Sequence, residues 1–326
     1  MNGLSKDSAS HYAVDEAGAG QRVDNFLRRL LKGVPKSHIY RILRSGEVRL
    51  NRKRVRPDAR LAVGDDLRIP PLRTAALPER SVRMAAPPID LPILYEDDAL
   101  IAIDKPPGLA VHGGSGVSFG LIERLRAARP RARFLELVHR LDRETSGVLL
   151  VAKKRAALVA LHATLREGLA DKRYLVLVRG RWRDAKRRVE LPLRKFVTGS
   201  GEREVRVEHT GGRVACTVFY RRQVWPDAVP PLSLLEAELA TGRTHQIRVH
   251  LTHLGFPLAG DDKYGDFAWN RALAKQGLKR MFLHAWRLSL PHPLDPRPMF
   301  FESPLPADLA GFVARLGRAE RGADNG

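Results

Sequence analysis

Asp142 lies in Val138-His139-Arg140-Leu141-Asp142-Arg143-Glu144-Thr145-Ser146-Gly147, with Arg140 two positions before it and Arg143 directly after. Flanking cations favour the ionised form of a carboxylate. An aspartate held rigidly in that form is a nucleophile or a general base, or it anchors an ion pair. Tyr174 follows Lys172-Arg173. A tyrosine so placed fills a core or sheet edge, or stacks on an extruded base in a basic groove. Arg248 stands beside the apolar stripe Ile247, Leu251 and Leu254. There an arginine snorkels or makes an ion pair. His139, His245, His250, His253 and His284 invite a zinc reading. Spacing argues against metal: His245 and His250 would lie about 140° apart on a helix. Neither an HExxH pattern nor a cysteine partner accompanies them.

The elements that must hold these groups follow from periodicity. Phe134–Leu137 and Val148–Ala152 are apolar runs of strand length, and Thr145-Ser146-Gly147 is turn chemistry between them. Ile93–Tyr95 and Leu100–Ile103 form a hairpin, broken by Lys105-Pro106-Pro107-Gly108. The glycines of His112–Gly116 could cradle phosphate, but no Walker lysine pattern is present, so the loop reads as structural. Leu158, Leu161 and Leu165 predict a helix stopped near Gly168, and Lys172–Val178 a strand. Residues 186–208 predict a projecting basic hairpin turning at Gly199–Gly201. Strands are predicted at 214–220 and 233–239, a helix over His245–Leu254 ended by Gly255 and Pro257, and a last buried strand at 281–290. The end from about Arg318 is polar and reads as frayed. Strand and helix alternate irregularly, so a mixed sheet of α+β type is expected rather than a βαβ wheel.

Toward the N-terminus, residues 1–19 read as a loose tail. Val23, Phe26, Leu27, Leu30 and Leu31 then recur at helical spacing up to Gly33. A second helix opens at Pro35-Lys36-Ser37, carries Ile39, Ile42 and Leu43 on one face, and ends at Gly46. Short strands are predicted at Val48–Leu50 and Leu67–Ile69, with a further one near Val55. Between Arg22 and Arg60, thirteen lysines and arginines face three acids, a net charge of +10 of the chain's +21. A basic face on a small helix-helix-strand unit is an electrostatic footprint for RNA. The prolines of residues 71–92 mark a semi-stiff linker. A lone cysteine, Cys216, excludes an internal disulfide and suits a reducing cytosol. The N-terminus lacks an apolar signal region, and no run reaches the roughly 18 apolar residues of a membrane span. A cytoplasmic protein without membrane association, a monomer, is expected.

The wording of HRLDRETSG resembles the signature of the RluA-type pseudouridine synthases, with Glu144 where close relatives often carry Asp. Residues 22–60, above all GVPKSHIYRILRSGEVRLN, resemble an S4 RNA-binding domain. The resemblance implies a small S4-type α/β RNA-binding domain (20–70), the linker (71–92), and a synthase domain (93–317) whose mixed, largely antiparallel sheet is flanked by helices. It implies Asp142, Tyr174 and Arg248 as the catalytic set, with Arg248 paired to Asp142. Arg140 and Leu141 would bind substrate, Arg140 entering the RNA where the flipped base was. His139, Lys105, His245 and His284 would support the site. Lys36, Arg41, Arg44, Arg49, Arg52, Lys53 and Arg54 would bind RNA. The implied reaction exchanges a C–N for a C–C glycosidic bond and needs no cofactor. Within the family the chain looks most like members acting on large-subunit (23S) ribosomal RNA. The rivals are a sister synthase acting on other rRNA or tRNA uridines and a non-catalytic S4 RNA-binding protein.

Overall fold

The computed structural model describes residues 8–15, 18–31, 33–72, 86–113, 118–197 and 203–323, in two units, residues 1–85 and 86–326. In the smaller unit the helical spacing forms α1 (Val23–Leu30) and α2 (Lys36–Arg44). Pro35 precedes α2, where its missing N–H leaves nothing unpaired. Gly46 takes the left-handed turn after it, φ +76°, and a Cβ there would lie 2.2 Å from Arg54 Nε. Phe26, Leu27, Ile39 and Ile42 pack with Val48, Leu67 and Ile69 in one buried cluster. The strands are β1 (Ser10–Ala13), β2 (Arg49–Leu50), β3 (Lys53–Arg54) and β4 (Asp66–Ile69), in the order β1-β4-β2-β3. Residues 10–13 are therefore a strand, paired antiparallel with β4, and not part of a loose tail. Tyr12 meets Phe26 edge-on at 5.3 Å, which gives that strand its apolar anchor.

The larger unit has the strands β5 (Ile93–Glu96), β6 (Leu100–Lys105), β7 (Glu136–Leu137), β8 (Ser146–Ala152), β9 (Asp171–Arg179) and β10 (Lys186–Glu190). They are followed by β11 (Leu193–Val197), β12 (Arg203–Val207), β13 (Cys216–Trp225), β14 (Leu232–Leu239), β15 (Leu283–Pro291) and β16 (Pro298–Glu302). Its helices are α3 (Leu121–Ala128), α4 (Arg155–Glu167), α5 (Gln246–His253), α6 (Phe267–Lys275) and α7 (Ala307–Ala323). The main sheet runs β10-β13-β14-β9-β15-β8-β6-β5, with β16 added to β15 and β7 to β8. Only β8 and β15 pair in parallel among the described strands, so the sheet is mixed and largely antiparallel, as expected. Distinct apolar clusters pack α4, α3, α5, and α6 with α7 onto its two faces.

Several expectations are corrected. Residues 186–208 are not one projecting hairpin: β10 is an edge strand of the main sheet, paired with β13, and only β11 and β12 form a separate ribbon. The expected turn at Gly199–Gly201 lies outside the described residues, as do residues 73–85 of the linker and Gly114–Gly116 of the glycine loop. β15 is not the last element, since β16 and α7 follow, and α7 continues to Ala323. Ser146 and Gly147 belong to β8 rather than to a turn. Gly147 sits at φ +109°, and a Cβ there would meet the Ala285 carbonyl oxygen at 2.1 Å. Only glycine permits that parallel β8–β15 contact. No described helix is long and apolar enough to cross a membrane.

Candidate active site

The loop that carries Asp142 is tied down at both ends. Val138 N–H donates to Leu150 O at 3.0 Å, and Leu150 N–H donates to His139 Nε2 at 3.1 Å. Burial lowers His139 to about 4, so its imidazole is neutral and able to accept. Lys105 is fully buried, and its ammonium donates to Pro106 O (2.8 Å), Leu109 O (2.8 Å) and Arg143 O (3.0 Å). It thereby clamps the 106–109 turn to the signature loop, and Arg143 returns a bond to Gly108 O at 3.1 Å. Burial pulls Lys105 down to about 8, against the opposing charges of Glu144 and Asp142. At the base of β8, Ser146 Oγ and His284 Nδ1 are 2.9 Å apart. His284 Nε2 donates to Ser303 O at 2.9 Å, and Ser303 Oγ donates to Asp104 at 2.8 Å. Ser146 is only 1% exposed, so this serine-histidine chain is a packing lock and not a hydrolytic triad.

At the loop's centre, Arg248 Nη1 donates to Asp142 Oδ2 at 3.1 Å. The rest of the guanidinium is committed elsewhere. Nε and Nη2 hold Asp261 in a bidentate pair at 2.7 and 2.6 Å. Arg248 is 6% exposed and Asp261 fully buried, so Arg248 neither snorkels nor serves Asp142 alone. Asp261 also accepts from the Lys263 and Tyr264 amides at 2.9 and 3.0 Å. Burial pushes its carboxyl upward; Arg248 and those amides more than offset this and hold it below the usual range.

His245 caps the start of α5 in a left-handed conformation, φ +53°, which turns its ring toward Asp142 with Nε2 3.7 Å from Oδ1. Its Nδ1 lies 2.8 Å from Tyr264 Oη, and Tyr264 Oη accepts Val205 N–H at 3.0 Å. Tyr264 thereby ties the His245 ring to the β11–β12 ribbon and fixes its orientation beside Asp142. Burial lowers the His245 pKa despite Asp142 beside it. Tyr174, on β9, is pushed upward first by burial and then by the charge of Asp142, so it stays a phenol.

Asp142, Tyr174, Arg248 and His245 line one cavity of about 580 Å³ together with His139, Arg140 and Leu141. Arg140 is exposed, while Leu141 is 4% exposed and packs with Val111 and Leu121. Lys105 and His284 do not line the cavity; they act on the loop from behind. The remaining histidines are apart: His250 is buried between Thr217 Oγ1 and Leu191 O. No group of three or more candidate ligands for a metal ion occurs among the described residues. Asp261 and Tyr264 escaped the sequence reading. Their only signal was an acid inside the turn Gly260-Asp261-Asp262-Lys263-Tyr264-Gly265. A Cβ on Gly260 would lie 2.2 Å from Arg280 O, and on Gly265 2.3 Å from Asp261 O.

In the smaller unit Lys36, Arg41 and Arg44 lie exposed on α2, and Arg49, Arg52, Lys53 and Arg54 exposed on the following hairpin. Three of the expected RNA-binding cations are already engaged: Arg41 Nη2 lies 2.9 Å from His38 Nε2, and two others bond backbone carbonyls. Arg54 donates to Arg44 O (3.2 Å) and Ser45 O (2.9 Å), capping α2, and Arg49 donates to Arg52 O at 3.4 Å.

The model of the RNA pseudouridylate synthase family matches residues 99–253, and the S4 domain model matches residues 21–67. The chain is 51% identical to ribosomal large subunit pseudouridine synthase C of Escherichia coli (strain K12), covering 94% of this chain and 96% of that protein. The protein of the same name from Salmonella typhimurium (strain LT2) is 54% identical, over 90% of this chain and 91% of its own length. That from Haemophilus ducreyi is 49% identical, over 95% and 96%. Among solved structures, human RNA pseudouridylate synthase domain containing 1 superposes with a TM-score of 0.56 at 25% identity, covering 71% of this chain and 95% of that one. Site geometry, domain matches and relatives of near-equal length agree: the chain belongs to the RNA pseudouridylate synthase family, with an S4 domain ahead of the synthase domain.

Proposed function

We propose that the chain isomerises specific uridines of large-subunit (23S) ribosomal RNA to pseudouridine, with Asp142 as the reacting carboxylate. The observation that carries the reading is Asp142 in the cavity beside Tyr174, hydrogen-bonded to Arg248 at 3.1 Å. The N1–C1′ bond breaks, the uracil rotates, and C5 joins C1′; C5 loses a proton and N1 gains one. The composition is unchanged, so no cofactor is required. Asp142 attacks C1′ or removes the C2′ proton, and both roles need the ionised form that Arg248 supports. Tyr174 stacks on the extruded base. Arg140, exposed at the cavity, fills the space the base leaves, and Leu141 sets the floor beneath it. His139, Lys105 and His284 hold the loop, and His245 sets its Nε2 beside Asp142. The S4 domain (20–70, with β1 added ahead of it) supplies affinity through Lys36, Arg41, Arg44, Arg52 and Lys53. The linker (71–92) joins it to the catalytic domain (93–317). The names of the relatives support the ribosomal target, and the reading carries with it a cytoplasmic enzyme that works as a monomer.

Two measurements test this. Pseudouridines in ribosomal RNA are mapped with and without the protein: sites lost from 23S RNA are expected, and sites lost only from tRNA would reassign the target. Asp142→Asn should lower the single-turnover rate at least about a thousandfold, as for loss of a reacting group. RNA affinity should change little. Substantial turnover by the variant would remove Asp142 from the chemistry.

A further inference from the structure

The walls of the catalytic cavity are rich in cations, and Asp142 is their one carboxylate. Asp142 is engaged by Arg248, and Arg287 of the same wall is engaged by Glu302 at 2.9 Å. Arg140, Arg166 and Lys172 have no hydrogen-bond or ion-pair partner among the described residues. Two of them, Arg140 and Arg166, are exposed and can be solvated by water. Lys172 is different: its side chain is partly buried within the wall. Its chain neighbour Asp171 is turned to Arg173 at 2.7 Å. A cation withdrawn from water without a counter-charge is unfavourable, and an anion supplied by a ligand removes that cost. Burial indeed lowers the Lys172 pKa, against the pull of Asp171.

Position identifies the anion. Lys172 and Tyr174 are two apart on β9, so their side chains leave the same face about 7 Å from each other. That separation matches the distance from a nucleobase to the phosphate of its own backbone. Gly242 borders the ammonium: a Cβ on it would lie 3.9 Å from Lys172 Nζ, so the missing side chain leaves the approach open. His139 and His162 are both held below the ordinary histidine value, first by burial and then by neighbouring cations.

We propose that Lys172, which lines the same cavity as Arg166, binds a phosphodiester oxygen of the RNA strand next to the target nucleotide, which seats the extruded base against Tyr174. This subsite rests on the pseudouridine synthase reading. It is distinct from the basic face of the S4 domain because it acts at the reacting nucleotide itself.

The test uses the full-length protein and an RNA fragment containing a target uridine. Companion RNAs replace the linkage 5′ or 3′ of that uridine by a neutral methylphosphonate. Single-turnover rates are measured against enzyme concentration at several salt concentrations, for wild type, Lys172→Met and Lys172→Arg. Lys172→Met should raise the half-saturating concentration roughly tenfold and flatten its salt slope by about 0.7, the value for one neutralised phosphate on a single strand. Lys172→Arg should restore most of the loss. On one of the two methylphosphonate RNAs, Lys172→Met should cause no further loss, because the charge it would meet is already absent. Unshifted half-saturation in Lys172→Met, or the same loss on both neutralised RNAs, overturns the phosphate site. Absence of wild-type turnover on unmodified RNA overturns instead the reading on which it rests. Lys172→Gln repeats the comparison should the methionine variant not fold.

Discussion

Asp261 never meets the solvent, yet the geometry of the Asp142 carboxylate depends on it. Its two bonds to Arg248, at 2.7 and 2.6 Å, fix the guanidinium plane and leave Nη1 for Asp142. Removing one partner of a buried pair leaves the other uncompensated, at about 3–5 kcal/mol. Asp261→Asn keeps the volume and an acceptor, so the protein should fold, and its saturated single-turnover rate should fall roughly ten- to hundredfold through lost orientation. A purely structural role would lower stability and spare the rate of the folded enzyme. The acid limb offers a second readout. The Asp261 carboxyl is held below its ordinary 3.8. Its contribution to stability is therefore present above that value and is lost as pH falls through the folded value, because the unfolded chain binds the proton first. Thermal midpoints followed below about pH 4 should fall less steeply in Asp261→Asn than in wild type. Equal slopes would mean that Asp261 is not held ionised.

At the scale of elements, the signature loop is positioned by the parallel contact of β8 with β15. Ser146 faces His284 and Gly147 faces Ala285 across that pair. The left-handed φ of Gly147 and the 2.1 Å approach to the Ala285 carbonyl exclude any side chain. Gly147→Ala should destabilise the protein by about 3 kcal/mol or more, the sum of backbone strain and clash. A urea midpoint measures it. Activity should fall further than stability because Asp142 lies five residues upstream, on the loop that leads into β8. An unchanged midpoint would mean that β8 and β15 separate without cost. The ribbon β11–β12 reaches the site differently, through Val205 N–H on Tyr264 and Tyr264 on His245. The ribbon is thereby linked to the ring that lies beside Asp142.

For the whole molecule, the division of labour between its units follows from charge. Residues 22–60 carry +10, and every residue lining the catalytic cavity lies beyond residue 138. Replacing Lys36, Arg41, Arg44, Arg52 and Lys53 together by glutamine should weaken RNA binding. It should also flatten the salt dependence by about 0.7–0.9 for each phosphate no longer neutralised. The rate at saturating enzyme should hold, since the cavity is untouched. An unchanged salt slope would show that this face does not meet phosphate. Arg49 and Arg54 are left out of the set because they bond α2 and hairpin carbonyls. Replacing them would confuse folding with binding.

Much of this protein was legible along the chain itself. Helical spacing located α1, α2, α4 and α5, apolar runs located β6, β8 and β9, and the wording of residues 138–147 pointed to Asp142. These are local signals, carried by residues within a turn or a strand of one another. What the chain order hid is non-local. Asp142 meets Arg248 across 106 residues, a pairing that no local pattern showed and only the family resemblance implied. Asp261 sits in a turn whose sequence shows only glycines and charges, and it becomes a counter-ion because the fold buries it against α5. Strand β1 is four residues with a single aromatic, too little for periodicity, and its pairing with β4 decides its structure. The same holds for β16, which exists as an added edge of β15. Period and composition determine which faces are apolar. Which apolar faces meet, and hence which charges are stranded together away from water, is settled only when the sheet closes over its helices.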